Sequence, residues 1–261
     1  MAPVGLSLLA WVVLGYLALP LVIIVGASLT TTDFLVFPPQ GLTLRWYGAV
    51  LQDSTYLSAF GVSTILALSA TVAAVLLAIP ACLAIARYRF NGRSAVEALF
   101  MSPLVLPHLV LGAAFLQYGS AIGLVRSFPA LLVGHIVVIV PFVMRSVLPQ
   151  LSDEQRALED ASMDLGASRA TTFFLVTLPQ IRGGVVSGAV LAFISSWINV
   201  ELSIFNVTTD LMTIPVKLFN YVQYTIDPTI AAVSSITIIA AAALIVILDI
   251  IFGLDVLPGQ K

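Results

Sequence analysis

The chain has 261 residues, 60% of them hydrophobic and only 9% charged, with a formal net charge of -2 at pH 7. A soluble domain carries about 25% charged residues because water must solvate its surface, so this composition excludes a soluble globule and makes lipid the main solvent. The near-neutral balance excludes a nucleic-acid partner. The lone cysteine, Cys82, excludes an intramolecular disulfide and any cysteine-based metal or redox site.

A helix crossing about 30 Å of hydrocarbon needs about 20 mostly apolar residues. Six stretches qualify, at 6–29, 57–86, 95–118, 130–148, 185–206 and 229–254. They are continuously apolar and do not alternate as barrel strands do. The predicted fold is therefore an all-α polytopic membrane protein with six transmembrane helices. The first run is longer than the apolar core of a secretory signal and has no basic residue before it, so it is expected to stay as the first span. After it, 42–51 (LTLRWYGAVL) carries Trp46 and Tyr47, aromatics suited to the membrane interface. Pro20, Pro80, Pro103, Pro107 and Pro141 fall inside spans, where each removes a backbone donor and bends its helix. Pro103 and Pro107, on one face, predict bending of the third span.

Orientation follows from Lys and Arg. With the N-terminus inside, Arg87, Arg89, Arg93, Arg145, Arg156, Arg169, Arg182 and Lys261 are cytoplasmic, and only Arg45, Arg126 and Lys217 are external. Eight against three predicts N-in and C-in.

The longest polar stretch joins the fourth and fifth spans: LSDEQRALEDASMDLGASRATTFFLVTLPQIRGG, 151–184. Ser152 followed by Asp153 and Glu154 is a helix start, and Ser152 with Gln155 has capping-box spacing. Leu158, Ala161 and Leu165 then recur as a narrow apolar stripe, with Asp153, Glu154, Arg156 and Asp160 largely off it. Gly166 stands where a helix should end, since glycine takes the left-handed C′ geometry at little cost. A second short helix, 170–178, is expected to lie along the bilayer surface, with Pro179 closing it. A structured excursion of this length is uncommon unless it docks onto something.

This run resembles the signature loop of ABC importer permeases: Glu-Ala-Ala, three residues, Gly, nine residues, Ile, one residue, Leu-Pro. Asp160, Ala161, Ser162, Gly166, Val176, Leu178 and Pro179 stand at the matching positions. Asp replaces Glu, Ser replaces the second Ala, and Val replaces Ile. The resemblance implies a type I ABC importer transmembrane domain over 1–261, with 151–183 as a cytoplasmic coupling loop. It implies that Asp160, Ala161, Ser162, Asp164, Leu165, Gly166, Ala167, Ser168 and Pro179 form or flank the contact with an ATPase subunit. It further implies a multi-pass protein of the bacterial inner membrane with defined partners. These are two ATP-binding subunits, a second permease chain (a different chain, as is usual in the spermidine/putrescine branch, or a second copy), and a periplasmic substrate-binding protein. No P-loop is present, the only lysines being Lys217 and Lys261 in the wrong context. The chain is therefore expected to be non-catalytic and without a cofactor, ATP and Mg being bound by the partners.

The resemblance is closest to the spermidine/putrescine branch, through Gly134-His135 to Pro141-Phe142, Ser203-Ile204-Phe205 and Ile214-Pro215-Val216-Lys217. It implies a small organic cation. Trp197, Asn199 and Glu201 are candidate path residues; Ser195 could line the same path, although Ser195, Trp197 and Asn199 cannot all share one helix face. Ionisable groups in a membrane helix are expensive and usually face a cavity or partner, so Glu201 either meets a substrate ammonium, snorkels outward, or pairs with a neighbouring chain. A lone histidine such as His135 reads first as a packing residue. His108 and Asp249 carry no assigned role, and the two histidines make no metal site. The other class of function is a stand-alone secondary carrier or channel, which would need ion-coupling carboxylates within its spans.

Overall fold

The computed structural model describes residues 4–252, all of whose regular elements are helical. They fall into two compact units, one of 4–58 and 217–246, the other of 59–216 and 247–252.

In the first unit, α1 (Val4–Ala27) carries no charge and is apolar on every side. Its residues 5–22 are all exposed in the isolated chain, as a lipid-facing helix should be. The connector then folds back on the end of α1. Tyr47 Oη lies 2.6 Å from Ser28 Oγ, and the Trp46 indole N–H donates to the Thr30 carbonyl at 2.9 Å. Both aromatics sit on α2 (Arg45–Gln52), so residues placed by sequence in the interface belt also tie the connector down. The unit also contains α10 (Ile214–Val222) from Lys217 onward and most of α11 (Pro228–Phe252). The sixth predicted span falls on α11. Its residues 253–254 lie outside the described residues, as do the Asp249 side chain and Lys261.

The second unit is organised by α3 (Ser54–Arg87), α6 (Phe128–Val147) and α9 (Leu178–Trp197). Lipid tails are as apolar as leucine, so such helices are held by close packing of small residues rather than by the hydrophobic effect. Ala70, Ala74, Ala78 and Cys82 on α3 are fully buried in one cluster with Val143, Met144 and Val147 of α6 and Ile181 and Ala192 of α9. On α9, Gly184 and Gly188 bring the backbones of α9 and α6 together. A Cβ built on Gly184 would lie 2.5 Å from the Ser146 carbonyl oxygen, and one on Gly188 would lie 2.9 Å from Val143 Cα. The Gly184 N–H also donates to Gln150 Oε1 at 3.0 Å.

Two expectations about the spans change. The third is not one helix: α4 (Arg93–Met101), a single 3-10 turn, and α5 (His108–Ala121) are bent by 103°. Pro103 sits in that turn and Pro107 caps α5, so the prolines break the helix rather than bend it. The fifth span begins and ends earlier than predicted. α8 (Arg169–Thr172), a π-helical segment (Phe173–Thr177) and α9 run on as one helix, Arg169–Trp197. Pro179 therefore does not close a surface helix. It stands in the first turn of α9, and the π segment before it takes up the irregular hydrogen bonding a proline imposes. After Trp197 the backbone is irregular, so Asn199 and Glu201 lie beyond the helix.

Candidate functional site

The 151–183 loop builds α7 (Asp153–Asp164). Ser152 is its N-cap, accepting the Gln155 N–H at 3.5 Å, with Asp153 and Glu154 in the first turn beside the positive helix end. Only this half of the capping box forms, for Gln155 Oε1 is buried without a donor among the described residues. The C-terminus closes as the sequence predicts. Gly166 has φ +92°, its N–H donates to the Met163 carbonyl at 2.9 Å, and the Ala167 N–H donates to the Ser162 carbonyl at 3.2 Å. These two bonds define a Schellman motif. Ser168 then caps α8, accepting the Thr171 N–H at 3.1 Å.

The loop presents its apolar stripe outward, with Leu158 55% and Leu165 90% exposed. Asp160, Ala161, Asp164, Gly166, Ser168 and Pro179 are exposed too, while Ser162 and Ala167 are half-buried. Ser162 Oγ meets Thr172 Oγ1 at 3.1 Å, tying α7 to α8.

The inward face holds what sequence reasoning missed. Glu159 is buried against Arg87, the last residue of α3, in a two-pronged ion pair: Nε–Oε2 2.8 Å and Nη2–Oε1 3.0 Å. The remaining Arg87 nitrogen donates to the Leu151 and Ser152 carbonyls at 3.2 and 3.3 Å. Thr177, in the π segment, donates its hydroxyl to Glu159 Oε1 at 2.9 Å. A cavity of about 290 Å³ opens beside this cluster, with Arg156, Asp160 and Arg169 in its wall. The one sequence signal was position: Glu159 lies about 100° round the helix from Leu158, off the exposed stripe. Its partner is 72 residues away in the chain, beyond any local pattern.

The predicted path residues do not form one surface. Trp197 ends α9 with its ring 5.6 Å from Phe193 and 6.5 Å from Phe60, and its indole N–H is buried without an acceptor among the described residues. Asn199 is buried and structural, its Oδ1 accepting the Leu202 N–H at 2.9 Å. Glu201 alone is open, its side chain 62% exposed and one carboxylate oxygen 3.7 Å from His108 Nδ1 at the start of α5. That neighbour was not foreseen.

His135 proves to be a packing residue. Its ring nitrogens lie 2.7 Å from Ser196 Oγ and 3.0 Å from Ser203 Oγ, joining α6 to the end of α9 and the turn beyond. Among the described residues no group of three His, Cys, Asp or Glu side chains could hold a metal ion. Lys217, in the first unit, donates to Thr55 Oγ1 and lies 4.2 Å over the Tyr56 ring. Burial pulls its pKa below the ordinary 10.5, against the opposing pull of Asp53.

Comparison with known proteins adds five findings. Residues 78–254 match the family described as binding-protein-dependent transport system inner membrane component. The chain is 31% identical to the putrescine transport system permease protein PotI of Escherichia coli K12, over 85% of this chain and 81% of that protein. It is 28% identical to the spermidine/putrescine transport system permease protein PotC of Haemophilus influenzae, over 92% and 93%. It is also 28% identical to the molybdate/tungstate transport system permease protein WtpB of Pyrococcus abyssi, over 68% and 66%. Its fold matches a chain of a bacterial ABC transporter involved in the import of the acidic polysaccharide alginate. That match has a TM-score of 0.71 and 16% identity, covering 95% of this chain and 96% of the other.

Proposed function

Because this chain belongs to the family of binding-protein-dependent transport system inner membrane components, we propose that its 151–183 loop is the coupling element through which a partner ATPase drives it. The chain is a multi-pass membrane permease of the ABC type. The observation that carries the proposal is the outward stripe of Leu158 and Leu165 on a helix capped at both ends. Exposed leucines on a rigid, capped helix are costly in water and suit a groove on another protein. Leu165, Gly166, Ala167 and Ser168 form the turn that meets the ATPase, with Asp160, Ala161, Ser162, Asp164 and Pro179 flanking or supporting it.

On this reading the chain acts as one transmembrane domain, N-in and C-in, in a bacterial inner membrane. It pairs with a second permease chain, two ATP-binding subunits and a periplasmic binding protein. ATP and Mg sit on the ATP-binding subunits. The solute is a small organic cation of the polyamine class, a reading supported by the names of two relatives, PotI and PotC. Glu201, the open carboxylate of the path candidates, pairs with its ammonium group.

The test is Gly166→Trp in the assembled transporter. ATPase subunits should fail to co-purify with the permease, and ATP-dependent putrescine uptake should be lost. Retention of both would overturn the assignment of the loop.

A further inference from the structure

We propose that Arg87, Glu159 and Thr177 form a rigid joint that carries movement of α7 into α3 and α9. The joint rests on the reading of α7 as the coupling helix and adds the route by which that helix moves the spans. Four parts of the chain meet in one hydrogen-bonded cluster built on the Arg87–Glu159 pair, Thr177 bonding the carboxylate and the Leu151 and Ser152 carbonyls bonding the guanidinium. Glu159 comes from the middle of α7, Arg87 from the end of α3, and Thr177 from the base of the helix that becomes α9. The Leu151 and Ser152 carbonyls come from the entry to α7. Each prong of the guanidinium is used, and the two charged side chains are only 12% and 11% exposed.

The choice of chemistry argues for geometry over stability. A buried ion pair pays a large desolvation penalty, and apolar side chains of similar volume often give equal or greater stability. A bidentate Arg–carboxylate pair instead fixes the relative orientation of two elements, since both bonds form only in one plane. The π segment fits the same purpose. π turns are rare and recur at functional positions, and this one places Thr177 so that its hydroxyl meets the carboxylate. Leu158 and Leu165 remain turned outward while Glu159 is held inward, so one helix grips a partner on one face and the spans on the other. Arg87, Glu159 and Thr177 are positioning residues that touch neither solute nor nucleotide.

The experiment uses the complete transporter in proteoliposomes, with putrescine as the transported probe. Spin labels are placed at Ala157→Cys on α7 and Leu76→Cys on α3, with Cys82→Ala removing the native thiol. In the otherwise wild-type complex the label distance should be the same without nucleotide and with trapped ATP. Glu159→Gln and Arg87→Lys should retain the ATPase subunits. They should make the distance nucleotide-dependent and lower putrescine moved per ATP by roughly two- to thirtyfold. Glu159→Arg combined with Arg87→Glu should recover part of the loss. Thr177→Val removes one hydrogen bond, keeps the ion pair, and supplies the same readings should the charge variants not assemble. An assembled variant with wild-type distance behaviour and wild-type uptake per ATP overturns the joint alone. A wild-type chain that retains no ATPase subunit overturns the coupling reading and the joint with it.

Discussion

Replacing Gly184 by alanine puts a methyl carbon 2.5 Å from the Ser146 carbonyl oxygen and 2.8 Å from Gln150 Cδ. The glutamine can swing away, at the loss of the 3.0 Å bond from the Gly184 N–H. The carbonyl is backbone of the α6 helix end and cannot move without the helix, so α9 must back off. Overpacking of this kind costs about 1–3 kcal/mol, and the better helix propensity of alanine returns up to about 1 kcal/mol. A net loss of about 1–2 kcal/mol raises the unfolded fraction roughly five- to thirtyfold. Gly183→Ala is the internal control. Its Cβ would approach nothing closer than Gln150 Nε2 at 3.8 Å, so only the propensity gain applies. Unfolding of the two variants in mixed lipid–detergent micelles, followed by tryptophan fluorescence against denaturant, should move the midpoint down for Gly184→Ala and leave it level or raised for Gly183→Ala. Equal midpoints would refute the claim that α6 and α9 meet through this glycine.

Gly166→Ala meets no atom within 4 Å, so its cost is backbone strain alone, about 1–2 kcal/mol for an L-residue at φ +92°. Faster hydrogen exchange confined to 153–165 should report it, and Gly166→Asn should exchange more slowly than the alanine variant. Asp53 accepts the hydroxyl and amide of Thr55 at 2.7 and 2.8 Å, and these bonds hold its carboxyl below the ordinary 3.8. A lowered carboxylate pKa adds stability that is present above 3.8 and lost as pH falls through the lowered value. Asp53→Asn should keep a cap on α3 while removing that acid dependence from melting curves taken between neutral and strongly acidic pH. Glu201→Gln should weaken putrescine uptake by the reconstituted transporter at least several-fold while leaving ATPase subunits bound, and unchanged uptake would remove the carboxylate from the path.

The membrane class, the helical fold and the ends of α7 follow from sequence, because each is set by short-range chemistry. Lipid demands continuous apolar runs, Ser152 supplies an oxygen at a helix start, and Gly166 supplies a positive φ at a helix end. Where that chemistry had two local solutions, the reading erred. Pro103 and Pro107 break a span instead of bending it, and Pro179 sits inside a helix instead of ending one, because π hydrogen bonding upstream absorbs it. Tertiary structure alone decided that Asn199 is buried, that His108 faces Glu201, and that His135 binds two serines. It also decided that Glu159, an unremarked acid on a polar helix, is the buried partner of Arg87. A pairing across 72 residues leaves no periodic trace in the chain. It exists only once α3, α7 and the base of α9 are packed, and burial then makes its geometry count.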